Sequence, residues 1–170
     1  MDNAQFWRII SLFDWETDGS DADIIAPAVA VLAALPLEDI VAFEELLSQK
    51  LYALDTLAHA RNIGDDAYVD KRRYFSIDSF LYARCCVVAN GERFYNSVLN
   101  DPSQFPEDVE FEGLLGLASA AVERKTGRAP DGFDTSVSYE TFSNRAGWAQ
   151  QAPARARKAP AEPFWKFWTR

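Results

Sequence analysis

The sequence predicts an all-α fold, with one compact multi-helix domain of about six helices and an extended, basic and aromatic C-terminal tail. Apolar residues recur at three- and four-residue spacing through most of the chain, which is the period of a helix buried on one side. Residues that typically begin and end helices separate these segments. The chain has 170 residues, of which 48% are hydrophobic, so it suffices for one sizeable core and not for a second full domain.

Two helices are predicted upstream of Pro36. A stripe of large apolar residues indicates the first, with Asp2 or Asn3 as its cap. A polar loop follows, and the second helix is entered through Ser20 or Asp21. We expect both helices to bury one face in the core.

The segment after Pro36 reads as one long helix that extends to Gly64, where glycine provides a left-handed stop. His59 lies in its last part, and Asp55 lies four residues earlier on the same helix face. This spacing predicts a hydrogen bond between the carboxylate and the imidazole ring. The polar run that follows has no clear period and is predicted to be a surface loop.

Ser76 is predicted to cap the next helix, with Asp78 in its first turn, where a carboxylate interacts favourably with the helix dipole. The helix runs to an Asn90-Gly91 stop. Because its apolar residues lie on nearly every side, we expect it to be the central buried helix. A short helix over residues 92–99 follows.

The last helix is predicted to open at Glu107 or Asp108 and to end at Gly127. A polar stretch with scattered aromatics follows, then the linker QQAPARARKAPAEP, whose prolines and low apolar content predict an extended chain. We therefore divide the chain into a helical domain (residues 1–128), a polar extension (129–150), and a linker with the FWKFWTR tail (151–170).

These segments resemble the bacterial domain-of-unknown-function family 4240. The resemblance begins at Phe6-Trp7, continues through AFEELLSQKLYALD and fades near Gly127. Members often carry a tryptophan after the arginine of the central helix, where this chain has Cys85-Cys86, so it resembles a divergent branch. The resemblance implies a mainly helical domain, and it brings no established activity and no catalytic residue. It is strongest at Ser76, Asp78, Phe80, Arg84, Gly91, Tyr95, Leu99 and Pro102.

Charge is distributed unevenly along the chain. The net charge is −9, but residues 145–170 carry six cationic side chains and one acidic, a net +5, and the rest of the chain carries −14. An acidic body repels phosphates, so we expect no nucleic-acid binding. The basic tail suits an acidic partner, an anionic membrane surface or the body itself.

The N-terminal sequence MDNAQFW has neither a basic region nor an uninterrupted apolar run, so we expect no secretory signal. The longest apolar stretch, residues 24–37, is interrupted by two prolines and is too short to span a bilayer. Cys85 and Cys86 are adjacent on a helix and cannot readily bridge each other, which indicates buried thiols. Together these features predict a cytoplasmic protein.

No residue pattern in the chain indicates a metal, a cofactor or a nucleophile. Residues 14–19 place oxygen ligands as a calcium loop does, but Ile25 stands where the bidentate glutamate belongs, which favours a solvated turn. The single histidine, His59, excludes a multi-histidine metal site, and we expect it to be structural. Apolar surroundings would raise the pKa of Cys85 and Cys86 and suppress their reactivity.

Arg84 is the most prominent polar residue of the central helix. A guanidinium on an apolar helix requires a carboxylate partner, for which we expect Glu110 or Glu112. Ser76, Asp78 and Arg84 then form a cap and a buried ion-pair network, or else line a pocket with Tyr95.

The basic run Lys71-Arg72-Arg73 is expected to pair locally with Asp65, Asp66 and Asp70, with phosphate binding as the alternative. The tail concentrates aromatic and cationic side chains that suit docking to a partner, docking to the protein's own surface, or weak membrane contact. The candidate contact residues in it are Phe164, Trp165, Lys166, Phe167 and Trp168.

The leading functional hypothesis is a non-enzymatic module that acts through protein–protein contact as a regulator or an immunity-type inhibitor, with its acidic surface facing a cationic partner. The first alternative is a small enzyme or ligand-binding protein with a pocket near Asp78, Arg84 and Tyr95. The second is peripheral membrane attachment through the tail.

Overall fold

The computed structural model describes residues 1–149, and every regular element in that range is helical, which confirms the all-α prediction. The linker and the FWKFWTR tail lie outside the described residues. Two short 3-10 helices, Pro102–Gln104 and Glu112–Gly116, join the longer ones. The α-helices are α1 Asn3–Ile10, α2 Asp21–Ala34, α3 Leu37–Leu54, α4 Leu57–Ala60, α5 Ile77–Ala89, α6 Glu92–Asn100, α7 Leu117–Thr126 and α8 Arg145–Ala149.

Helices α1, α2 and α5 begin at the predicted caps. The carboxylate of Asp2 accepts a hydrogen bond from the backbone N–H of Gln5, and the Gln5 side chain accepts one from the backbone of Asp2. Ser76 caps α5 by accepting from the backbone N–H of Ser79 at 3.1 Å. At the end of α7, Gly127 has a φ of 77°, the left-handed conformation that favours glycine. These ends are set by local chemistry, which is why the sequence predicts them.

The prediction of one continuous helix from Leu37 to Gly64 is wrong, because the chain breaks between α3 and α4. Asp55 leaves the helical region with a ψ of 69°, and Thr56 caps α4 by accepting from the backbone N–H of His59. Asp55 forms no hydrogen bond with the His59 ring; its carboxylate accepts from Phe142, Asn144 and Trp148. A local pattern gives no sign of such a distant partner.

The predicted start of the last helix is also wrong. Asp108 has a φ of 57° and lies in a loop, with its carboxylate accepting from the backbone N–H of Asp65 at 2.8 Å. The chain then forms the 3-10 helix and enters α7 only at Leu117. The acidic residues that resemble a helix start instead connect two loops that are distant in sequence.

The core surrounds α5, as predicted for the central helix. This helix packs against α3 on one side and α6 on another, while α2 packs chiefly against α7. Cys85 and Cys86 are buried free thiols, and burial raises the pKa of both well above the usual range. None of the helices formed by residues 1–149 is both long and apolar enough to cross a bilayer.

Residues 128–149, which we call the C-terminal segment, pack onto the helices above. Glu45 on α3 accepts hydrogen bonds from the backbone N–H of Ser136 and from its hydroxyl group. Further along, α8 packs against α4. The polar extension predicted from composition is thus held against α3 and α4 at several points.

Asp55 makes the most extensive of these attachments. Its side chain has no accessible surface, and its two oxygens accept from the backbone N–H of Phe142 (3.2 Å), the backbone N–H of Asn144 (2.9 Å) and the indole Nε1 of Trp148 (2.7 Å). Hydrogen bonds to an ionised group are stronger than neutral ones, and buried donors left without an acceptor are costly. One carboxylate therefore fixes the path of residues 142–148.

We predict that Asp55→Ala lowers the free energy of unfolding by about 3 kcal/mol, because it removes a buried carboxylate and leaves three partly buried donors without their acceptor. Urea denaturation followed by tryptophan fluorescence measures this change. The exposed Asp18→Ala is the control and is expected to stay within about 0.5 kcal/mol of the parent protein. An Asp55→Ala protein as stable as that control would show that the anchor has no energetic role.

Candidate functional site

Arg84 lies fully inside the protein, with 0% of its surface exposed. Its Nη1 donates to the carbonyl of Leu51 at 2.9 Å and its Nη2 to the hydroxyl of Thr141 at 3.0 Å. The guanidinium carbon lies 4.7 Å from the centre of the Phe80 ring. Burial lowers the pKa of Arg84 to about 10, while the charge of Asp55 acts in the opposite direction.

The expected ion pair of Arg84 with Glu110 or Glu112 does not form among residues 1–149. Both glutamates lie near Tyr82 of α5 instead. Burial raises the pKa of Tyr82, and the hydrogen bond with Glu112 and the charges of Glu112 and Glu110 raise it further. A carbonyl and a hydroxyl bind the guanidinium instead. Neutral acceptors thus take the place of the carboxylate that the sequence led us to expect.

Asp78, Arg84 and Tyr95 have different surroundings. Asp78 is exposed near the start of α5. Tyr95 is buried against Trp7, its hydroxyl donates to the carbonyl of Lys50 at 3.3 Å, and burial raises its pKa to about 12. Since Arg84 has no accessible surface, these three side chains do not line a common pocket.

His59 is a structural residue in this fold. Its Nε2 donates to the carbonyl of Val98 at 3.1 Å, and its Nδ1 accepts from the hydroxyl of Thr56 at 2.8 Å. A carbonyl only accepts, so the proton lies on Nε2. Burial lowers the pKa of His59 to about 4, with the charge of Arg84 adding to the effect and the Val98 bond opposing it.

The polar loop before α2 serves as a helix cap. Asp23 accepts from both the backbone N–H and the hydroxyl of Ser20 at 2.8 Å, which lowers the pKa of Asp23. Asp14 accepts from the backbone N–H of Glu16. No group of three or more His, Cys, Asp or Glu side chains in residues 1–149 is arranged to hold a metal ion.

The basic run Lys71-Arg72-Arg73 is exposed, and within the described chain it forms none of the expected ion pairs with Asp65, Asp66 or Asp70. The contact with Asp70 is made by the backbone N–H of Arg72, at 2.7 Å from the carboxylate. The cationic side chains of this run are therefore available to other molecules.

A groove of about 500 Å³ lies next to this run, between α4, the following loop and the C-terminal segment. We call it the aromatic groove. The indole of Trp148 lies 5.3 Å from the Tyr68 ring and 4.4 Å from the Phe142 ring, measured between ring centres. Its lining comprises Leu57, Arg61, Tyr68, Val69, Asp70, Lys71, Phe142, Arg145, Trp148 and Ala149.

The backbone beneath the groove is strained at Phe142, whose φ of 75° is unusual for a bulky residue. The hydrogen bond from its N–H to Asp55 holds this conformation, and Phe142 is 46% exposed. A strained backbone persists only where its surroundings fix it, and such positions cluster at functional sites. The anchor at Asp55 therefore presents an apolar ring to solvent.

Cationic side chains surround the aromatic floor. Arg61, Lys71 and Arg145 line the groove, and none of them forms an ion pair or a side-chain hydrogen bond within residues 1–149. The acidic lining residue is Asp70. The same 149 residues carry 25 acidic and 12 cationic side chains, so the groove has a net positive lining on a protein of net negative charge. Of the groove residues, the sequence singled out Lys71 but not Phe142 or Trp148. The aromatic residues scattered through the polar stretch were the one sign that this stretch packs against the helices.

A family model described as "Protein of unknown function (DUF4240)" matches residues 1–124 of the 170-residue chain. The chain belongs to the DUF4240 family. The resemblance noted in the sequence is thereby confirmed. In this DUF4240 member the match ends within α7, so the C-terminal segment, which supplies one side of the aromatic groove, lies beyond it. No curated protein and no solved structure matches the chain.

We predict that the imidazole of His59 titrates near pH 4 in the folded protein, as measured by the NMR shift of its ring protons. Because the folded pKa lies below that of the unfolded chain, the unfolded state binds the proton more readily. His59 therefore lowers the free energy of unfolding by roughly 2 kcal/mol as the pH falls from about 6.5 to about 5.

The matched variant for this titration is His59→Gln, which lacks the titrating group. The difference in free energy of unfolding between the parent and this variant is expected to shift in favour of the variant as the pH falls over that range. A ring that titrates near its ordinary pKa of about 6.5 would contradict a buried imidazole with both nitrogens hydrogen-bonded.

Proposed function

We propose that this protein is a non-enzymatic interaction module, a regulator or inhibitor, whose aromatic groove docks an acidic segment of a protein partner. The observation that carries the proposal is the set of unpaired cations, Arg61, Lys71 and Arg145, around the half-buried rings of Tyr68 and Trp148. Aromatic residues and arginine are enriched in the centres of protein interfaces. The cationic and aromatic lining therefore suits the binding of an acidic protein segment.

The apolar surface extends beyond the groove itself, which favours a macromolecular partner over a small ligand. Tyr74, in the same loop, is 94% exposed, and Val69 and Ile77 are also large exposed apolar residues. Phe75, next to Tyr74, packs against Trp148, and the carbonyl of Ile77 accepts from Thr141, beside Phe142. The exposed rings and aliphatic groups therefore belong to one region of the surface.

The charge of the rest of the protein would direct such a partner. Residues 1–149 carry 25 acidic and 12 cationic side chains, so their net charge repels an acidic segment, whereas Lys71, Arg72 and Arg73 adjoin the groove and attract it. Attraction at one place and repulsion elsewhere restrict how the partner docks. This reverses the charge relation expected from the sequence, in which the acidic surface itself made the contact.

We expect the interaction to occur in the bacterial cytoplasm. Cys85 and Cys86 are free thiols, and free thiols are typical of a reducing compartment. Weak membrane contact through the tail remains the separate proposal made from the sequence. Its candidate residues lie outside the described part of the chain.

We predict that charge reversal at the groove, Lys71→Glu with Arg145→Glu, reduces partner capture by at least about fivefold, because acidic contacts become repulsive. The tagged full-length protein is incubated with native lysate, and retained proteins are quantified by mass spectrometry. The matched control reverses two exposed cations elsewhere, Arg93→Glu with Arg128→Glu, and is expected to retain the partner.

Two outcomes would overturn the proposal. One is the absence of any protein retained in stoichiometric amount, and the other is equal loss in the groove variant and its control. Cross-linking through the Lys71 amine adds an independent check, since the cross-linked peptide of the partner is expected to be rich in Asp and Glu.

A further inference from the structure

A second cavity, of about 410 Å³, lies between α3, α7 and the C-terminal segment, and it shares no lining residue with the aromatic groove. Its volume falls in the range of small-molecule sites. The segment over it is fixed by Glu45, which accepts from the backbone N–H and the hydroxyl of Ser136. The cavity is therefore built by two well-anchored parts of the fold.

Glu44 lines this cavity from the side of α3 and is only 4% exposed. No donor within residues 1–149 forms a hydrogen bond with its Oε2, and the hydroxyl of Ser48, one turn further along, is likewise buried without a partner. Burial raises the pKa of Glu44 to about 7. A buried carboxyl group without a partner is costly, and it requires a reason.

The other charged groups of the cavity are also acidic. Asp134 and Glu140 are exposed at its rim, and no Lys, Arg or His side chain lines it. Leu115 and Phe133 supply apolar surface. A ligand that complements this lining has cationic groups joined by an apolar chain, since each ammonium group can pair with a carboxylate and the chain covers the apolar residues.

We propose that this cavity binds a short alkyl diamine in its diammonium form, with one ammonium group at the Glu44 carboxylate and the other at Asp134 and Glu140. This site is independent of the interaction proposed for the groove. A cation beside Glu44 supplies the missing hydrogen-bond donors and stabilises the charged form of the carboxyl group.

Binding is expected to weaken as the pH falls from about 8 to about 6, because the ammonium pairs with the ionised form of Glu44. Tyr139, which lines the cavity, and the buried Cys85 both have pKa values raised by burial and by the charge of Glu44, so both stay neutral over this range. Glu140 at the rim also acts on Tyr139.

Isothermal titration of the full-length protein with 1,4-diaminobutane tests the proposal, with 1,4-butanediol as a neutral probe of the same length. We expect saturable binding of one diamine per chain and none of the diol. Glu44→Gln keeps the shape of the side chain, removes its charge, and is expected to weaken binding by at least about tenfold. Glu38→Gln, an exposed change on the same helix, is expected to leave the affinity unchanged.

Because Glu44 is buried, thermal unfolding of Glu44→Gln by circular dichroism shows first whether the variant folds. If it does not, the rim variant Asp134→Asn with Glu140→Gln decides, since both positions are exposed, and it too is expected to bind several times more weakly. Equal binding of diol and diamine, unchanged affinity in the folded variant, or no saturable heat up to about 10 mM diamine would overturn the proposal.

Discussion

The buried carboxylate of Asp55 is the interaction on which the rest of this structure depends. It lies where α3 ends, and it accepts hydrogen bonds from Phe142, Asn144 and Trp148, which are 87 to 93 residues away in sequence. By itself, the C-terminal segment has too little apolar surface to hold a fixed conformation. Because the carboxylate binds both backbone and indole donors, it fixes the path of the chain and the direction of Trp148 together.

Arg84 acts on the same stretch from the other side. Its guanidinium donates to Thr141, whose hydroxyl in turn donates to the carbonyl of Ile77 at the start of α5. Arg84 and Asp55 form no direct ion pair, but the charge of Asp55 favours the charged form of the arginine against the cost of its burial. Two buried charged groups thus hold residues 141–148: Arg84 binds residue 141, and Asp55 binds residues 142, 144 and 148.

Local signals in the sequence predicted the parts of the fold that local chemistry determines. The caps at Asp2 and Ser76, the stop at Gly127 and the burial of the helix after Ser76 are of this kind. The wrong predictions at Asp55, Arg84 and Asp108 share one cause, since each of these polar residues has a partner that is distant in sequence. Asp108 looked like a helix start but binds Asp65. Glu44 was missed, although it follows Phe43 on the buried side of α3, where a charged residue is informative.

Both proposed sites combine a wall of helices with a wall from the C-terminal segment. Helix α3 and its C-terminal end set the distance between them, because Glu45 holds residue 136 and Asp55 holds residues 142–148, some 15 Å apart along a helix at 1.5 Å per residue. A helix is rigid over this length, so it keeps the two stretches of the segment in fixed register. The segment completes sites that the helices alone would leave open, which is how a chain with no recognisable catalytic motif acquires concave surfaces of opposite charge.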